Sequence, residues 1–197
     1  MADPKTAVVL ASVRAKTAAE LCTALDLSEP GRKLLDAQVS PAGYLARLSD
    51  AGLLGDAVRF LALALPKREA VWWACQCVRE AKLESGEAAR AALESAARWA
   101  AEPSEENRRA AQRAADMAST TPEGIVALGA FFSGGSMAPP EAPGVEPADD
   151  LTARSIAGAI ILAAVARQPQ KAPEKYQRFL ELGVAAANNP LPGAKGG

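Results

Sequence analysis

The sequence predicts an all-α fold, and three observations predict it. Nearly a quarter of the residues are alanine, the side chain that loses no rotamer entropy on entering a helix, so the helical bias accumulates over every long window. Aromatic residues make up only 5% of the chain, and β-branched residues are sparse outside Val8-Val9 and Ile160-Ile161. Cap residues, prolines and glycines punctuate the chain at the spacing of short helices. The expected architecture is an antiparallel helix-hairpin bundle or a short irregular α-solenoid of about nine to ten helices. No fixed repeat period supports a tetratricopeptide or HEAT array.

Each element follows from its own ends. Thr17 and Glu20 have the spacing of a capping box and open a helix through about residue 26. Ser28 followed by Pro30 starts a short helix ending near Ala37. Ser40 caps a helix with Pro41 at its first position, and Gly52 stops it. Residues 53–65 are apolar on most of their circumference and are cut by Pro66, which predicts a central helix. Residues 67–82 resume at once, so the two are expected to form a tight hairpin and to pack against each other. Residues 86–102 make an alanine-rich helix with Leu93 and Trp99 toward one side. Ser104, Glu105 and Glu106 open a polar helix over 107–117, with Arg108, Arg109 and Arg113 expected on its outer surface. Thr121, Pro122 and Glu123 begin another helix that runs through Phe131-Phe132 to Gly134-Gly135.

Residues 133–147, SGGSMAPPEAPGVEP, lose all periodicity and read as a loop. Asp149 and Asp150 precede a helix over 151–167 whose core, IAGAIILAAVA, is about half the length needed to span a bilayer and reads as buried. The last helix covers 173–188. The predicted organisation is therefore a main helical domain over 1–135, a Pro/Gly-rich linker over 136–148 and a C-terminal helical pair over 149–190. That pair is expected to pack on the main domain, although the linker is long enough to leave it as a separate lobe.

Composition excludes several chemistries. The net charge is −1, with 22 basic and 23 acidic residues, so no global field attracts nucleic acid. There is no histidine, which removes the usual base for Ser or Cys nucleophiles and the commonest zinc ligand. Three cysteines, Cys22, Cys75 and Cys77, do not complete a four-ligand zinc site unless a carboxylate fills it, and on a helix Cys75 and Cys77 point about 200° apart. No metal, cofactor or catalytic residue is assigned. The odd cysteine count and an N-terminus without the marks of a secretion signal fit a cytoplasmic protein with no membrane insertion.

The stretch AVWWACQC, residues 70–77, concentrates two tryptophans and two cysteines. On a helical wheel Val71, Ala74, Cys75, Val78 and Ala81 share one arc, with Trp73 and Cys77 at its margin. Trp72 lies beyond the other margin among Arg68, Gln76 and Arg79. Either this helix is covered on more than one side, or Trp72 faces water or a partner. Cys75 is expected to be buried and inert, and Cys77 is the better candidate for a reactive thiol. The predicted partner-binding surface is Arg68, Trp72, Gln76 and Arg79. Second comes an acidic sector: no lysine or arginine falls between Arg113 and Arg154, while Glu141 and Glu146 do, which suits docking of a basic surface. The glycines of the SGGS turn read as a helix cap and not as a phosphate loop. The acid pairs Glu105-Glu106 and Asp149-Asp150 read as helix starts, and Arg108-Arg109 as a solvated face.

The lines PAGYL at 41–45, DAVRFLA at 56–62 and LPKREAVWWAC at 65–75, with Trp99, PSEENRRAA at 103–111 and FFSGGS at 131–136, resemble an uncharacterised bacterial family of helical proteins known only as a domain of unknown function. The resemblance covers most of the chain, and its most characteristic part, residues 66–73, reads without departure. It implies a helical fold and an association with secretion and signalling gene clusters, but no enzyme class. The expected function is a noncatalytic protein–protein interaction module, an adaptor or accessory subunit of a larger bacterial assembly. The alternatives are a self-assembling structural subunit, which would form a homo-oligomer, and a small enzyme using buried carboxylates or Cys77.

Overall fold

The computed structural model describes residues 8–22, 26–139 and 141–191. Among them are ten α-helices, one 3₁₀ turn and no strand. Helix α1 spans Ala18–Cys22, and the Glu20 carboxylate reaches back to the Thr17 backbone N–H at 3.3 Å and its hydroxyl at 3.1 Å. The expected continuation crosses residues 23–25, which lie outside the described residues. Helix α2, Glu29–Lys33, is shorter than predicted but opens as predicted, with Ser28 accepting from the Gly31 N–H. Helix α3, Pro41–Asp50, is capped by Ser40 and ends at Gly52, whose φ of 71° suits glycine. Helices α4, Leu54–Ala64, and α5, Lys67–Glu80, follow. Then come α6, Glu87–Ala101, and α7, Glu105–Asp116, with Ser104 as the cap of α7. Thr121 caps α8, Pro122–Phe131. Helix α9, Leu151–Ala166, the 3₁₀ turn Pro169–Lys171 and α10, Ala172–Asn188, are the last elements among the described residues.

Helices α5 and α9 form the centre and run parallel. Lys67 approaches Asp149 at 3.9 Å at one end, and the Arg167 guanidinium donates to the Lys82 carbonyl at 3.1 Å at the other. On one side α6, α7 and α8 pack against one another, with α8 against α9; on the other lie α4, α10 and α3. The predicted α4–α5 hairpin does not form: the two helices meet only at their corner, and α4 packs on α9, α10 and α3 instead. Leu65 and Pro66 between them are both extended, with ψ of 145° and 143°, so the chain leaves the axis of α4 instead of folding back along it. Helices far apart in sequence thus share one core, as in a bundle; in a solenoid each unit touches only its neighbours.

Small residues allow the closest approaches. A Cβ on Gly183 of α10 would lie 2.5 Å from Leu61 Cδ2 and 2.8 Å from Trp73 Cε2, and one on Gly129 of α8 would lie 2.9 Å from Ile156 Cδ1. The N-terminal segment runs along the end of α10, where the Ser12 N–H donates to the Ala187 carbonyl at 2.9 Å and Asn188 bonds both the Ala11 N–H and the Val9 carbonyl. The first contact satisfies a carbonyl that the helix end itself leaves unpaired. Among the described residues no single helix is long and apolar enough to cross a membrane; α9 and Pro169–Asn188 reach that length only as a pair bent by 119°.

Candidate interaction site

The tryptophan–cysteine stretch is largely core, because α5 is covered on several sides at once. Around it stand α6, α8, α9 and α10. Trp73 is fully buried, and its indole N–H donates to the Phe179 carbonyl of α10 at 2.6 Å. The margin assigned to Trp73 and Cys77 on the wheel is therefore an interface with α10. Cys77 is not the reactive thiol that its margin position suggested. It is fully buried, and loss of hydration pushes its pKa well above the ordinary value. Cys75, buried as expected, is pushed up to about 12 by the same cause. Cys22 is half-buried, and desolvation raises it to about 11.

The predicted strip on α5 divides in two. Trp72 and Gln76 are half-buried and Arg79 is exposed, with the Arg79 guanidinium 6.0 Å from the centre of the Trp72 ring. Those three form one line between α6 and α10, which are not a packed pair. Arg68 does not join them in the expected role. Its Nε donates to the Ala100 carbonyl at 2.5 Å and a terminal nitrogen to the Ala101 carbonyl at 2.8 Å, so it satisfies the last carbonyls of α6. Glu141 and Glu146 are exposed on the loop that follows α8, and neither bonds to the α5 strip.

That loop is anchored by residues whose expected place was the solvent. Arg108 is only 4% exposed. Its guanidinium pairs in a bidentate manner with Glu105, at 2.6 and 2.7 Å, and donates to the carbonyls of Phe131 at 2.8 Å and Ser136 at 2.9 Å. It lies 4.7 Å from the centre of the Phe131 ring. Arg109 adds bonds to the Ser136 and Ala138 carbonyls. The pair is a clamp between α7 and the SGGS turn, and Arg108 stays buried because nearly every donor has an acceptor. Gly135, at φ 64°, belongs to the same device, since a Cβ there would lie 3.0 Å from the guanidinium. Within the loop the Ser136 hydroxyl accepts from the N–H groups of Ala138 and Val145, both at 3.0 Å.

Two of the buried carboxylates are likewise engaged by the fold. Asp56 accepts from the Ser28 hydroxyl at 2.5 Å and its N–H at 3.3 Å, and pairs with Arg59. Glu123 accepts from the Ser85 hydroxyl. Among the described residues no three Cys, Asp or Glu side chains gather as a metal site would require.

A feature with no signal in the sequence is a trough of about 850 Å³ between α3 and α10. Leu45 of α3, Leu54 of α4 and Leu180 and Val184 of α10 are among its apolar lining, and Asp50 and Glu181 are its charged residues. Periodicity marks which face of each helix is apolar, but not that two apolar faces diverge and leave a gap. A family model matches residues 44–187 of this chain, which takes in α4 to α9 whole, α10 except its last residue and the last seven of the ten residues of α3. The chain belongs to this family of unknown function, DUF6931. The DUF6931 region holds the α5 strip, the Arg108 clamp and the trough apart from Val8, while α1, α2 and the segment along the end of α10 precede it. No curated protein and no solved structure matches the chain.

Proposed function

We infer that this DUF6931 chain is a noncatalytic protein–protein interaction module, an adaptor or accessory subunit of a larger bacterial assembly in the cytoplasm. One observation carries the reading. Helix α5 packs against four neighbours, and one line of it, Trp72, Gln76 and Arg79, stays partly open to solvent, with the Arg79 guanidinium 6.0 Å from the centre of the half-buried indole. Tryptophan and arginine are the residue types that dominate interface energies, and an indole gains from a cation at its face. Burial of Cys77 weighs against the competing thiol enzyme.

The test is a photoreactive amino acid at position 76 in the native cell, with the same group at the exposed Glu94 of α6 as control. The expected result is one protein adduct formed from position 76, absent from position 94, and lost in the Arg79→Glu variant. Labelling that is equal at both positions, or absent at 76, ends this reading of α5.

A further inference from the structure

We propose that the trough between α3 and α10 seats an amphipathic helix of a partner protein, one whose apolar stripe is flanked by lysine or arginine. This rests on the interaction-module reading but uses a different surface, since Phe179 and Gly183 of α10 face α5 while Leu180 and Val184 face the trough. Residues 177–185 of α10 line it and span about 12 Å at a helical rise, so roughly two turns of an incoming helix fit alongside. Anchors at i, i+3, i+4 and i+7 would meet Leu45, Leu54, Leu180 and Val184.

Charge selects the partner. Every charged residue on the trough is acidic, Asp50 on the α3 wall and Glu181 on the α10 wall, so a helix lying between them has acids on both flanks. Both acids are already engaged within the chain, Glu181 in an exposed pair with Arg178 at 3.1 Å and Asp50 likewise, but at exposed positions such contacts are weak enough for an incoming cation to compete with. The same acids argue against the other occupants. A second copy seated face to face would bring its own Asp50 and Glu181 to the contact, setting like charges together. An anionic lipid surface would be repelled.

The experiment uses the full chain and a labelled, amidated peptide of about 14 residues with leucines at i, i+3, i+4 and i+7 and lysines at both ends, read by fluorescence anisotropy. Saturable binding is expected, about tenfold weaker when glutamates replace the lysines, with that preference reversed by the double variant Asp50→Lys and Glu181→Lys. Both sites are exposed, so circular dichroism should show the fold retained, and Val184→Glu should abolish binding. Equal affinity for the two peptides, or binding indifferent to the charge reversal, overturns the proposal. So does a dimer in light scattering that Val184→Glu dissolves, which would assign the trough to a second copy. An adduct at position 76 with no peptide binding sinks the trough alone; peptide binding without the adduct sinks the α5 reading alone.

Discussion

Lys82 and Gln168 hold left-handed backbone angles, φ 51° and 52°, each just past the end of a central helix where glycine is the usual occupant. A side chain with a Cβ is strained there, so Lys82→Gly should raise stability by about 0.5–1 kcal/mol, read as a higher urea midpoint at unchanged slope. Gly183 carries the opposite sign. A glycine inside a helix normally costs about 1 kcal/mol relative to alanine, yet here the added methyl would enter Leu61 and Trp73 at 2.5 and 2.8 Å. Gly183→Ala should therefore destabilise, by about 1–3 kcal/mol; a gain would show that the indole yields without cost. Trp73 was legible as half of an answer. The wheel placed it at a margin, but only α10, more than 100 residues later, decides that the margin is interior.

At the scale of the element, helix starts were legible because a cap is a local bond: Ser28, Ser40, Ser104 and Thr121 each accept the N–H that their spacing predicts. The clamp was not, because α7 reads as polar and an arginine is assigned outward until its acceptors, 23 and 28 residues away, are in place. A signal was present in Glu105, three and four residues before Arg108 and Arg109. Hydrogen bonding from Arg108 is the largest of the effects that hold the Glu105 carboxyl at about 2, against an ordinary 4.5. The depressed group contributes stability that is complete above about pH 4.5 and is lost as pH falls toward 2. Glu105→Gln lacks that component, so its stability deficit should shrink across this window and stay constant above it in urea denaturation. Arg108→Ala should cost about 2–4 kcal/mol by stranding the Phe131 carbonyl and leaving the Ser136 carbonyl to Arg109 alone, and should speed amide exchange at Ala138 and Val145.

For the whole molecule, the ten short helices were legible from composition and caps, while their arrangement was not, since the extended Leu65-Pro66 corner sends α4 to partners a hundred residues on. The linker's length leaves open whether the C-terminal pair can stand apart, and the apolar surface that the pair buries sets what separating it would cost. Ile156 and Ile160 of α9 and Phe179 and Leu180 of α10 are buried, and α9 contributes to the interfaces of α8, α5 and α4 at once. Burying four such side chains is worth roughly 6–12 kcal/mol, comparable with the whole net stability of a domain, about 5–15 kcal/mol. A chain ending at Ala148 would uncover Trp73, deprive its N–H of the Phe179 carbonyl and empty the notch at Gly129. The intact protein should therefore unfold in one transition, coincident by tryptophan fluorescence and far-ultraviolet circular dichroism, and residues 1–148 alone should show helix without a cooperative melt or near-ultraviolet signal. A sharp, native-like melt of that fragment would mean that α9 and α10 form a lobe of their own and that the core closes without them.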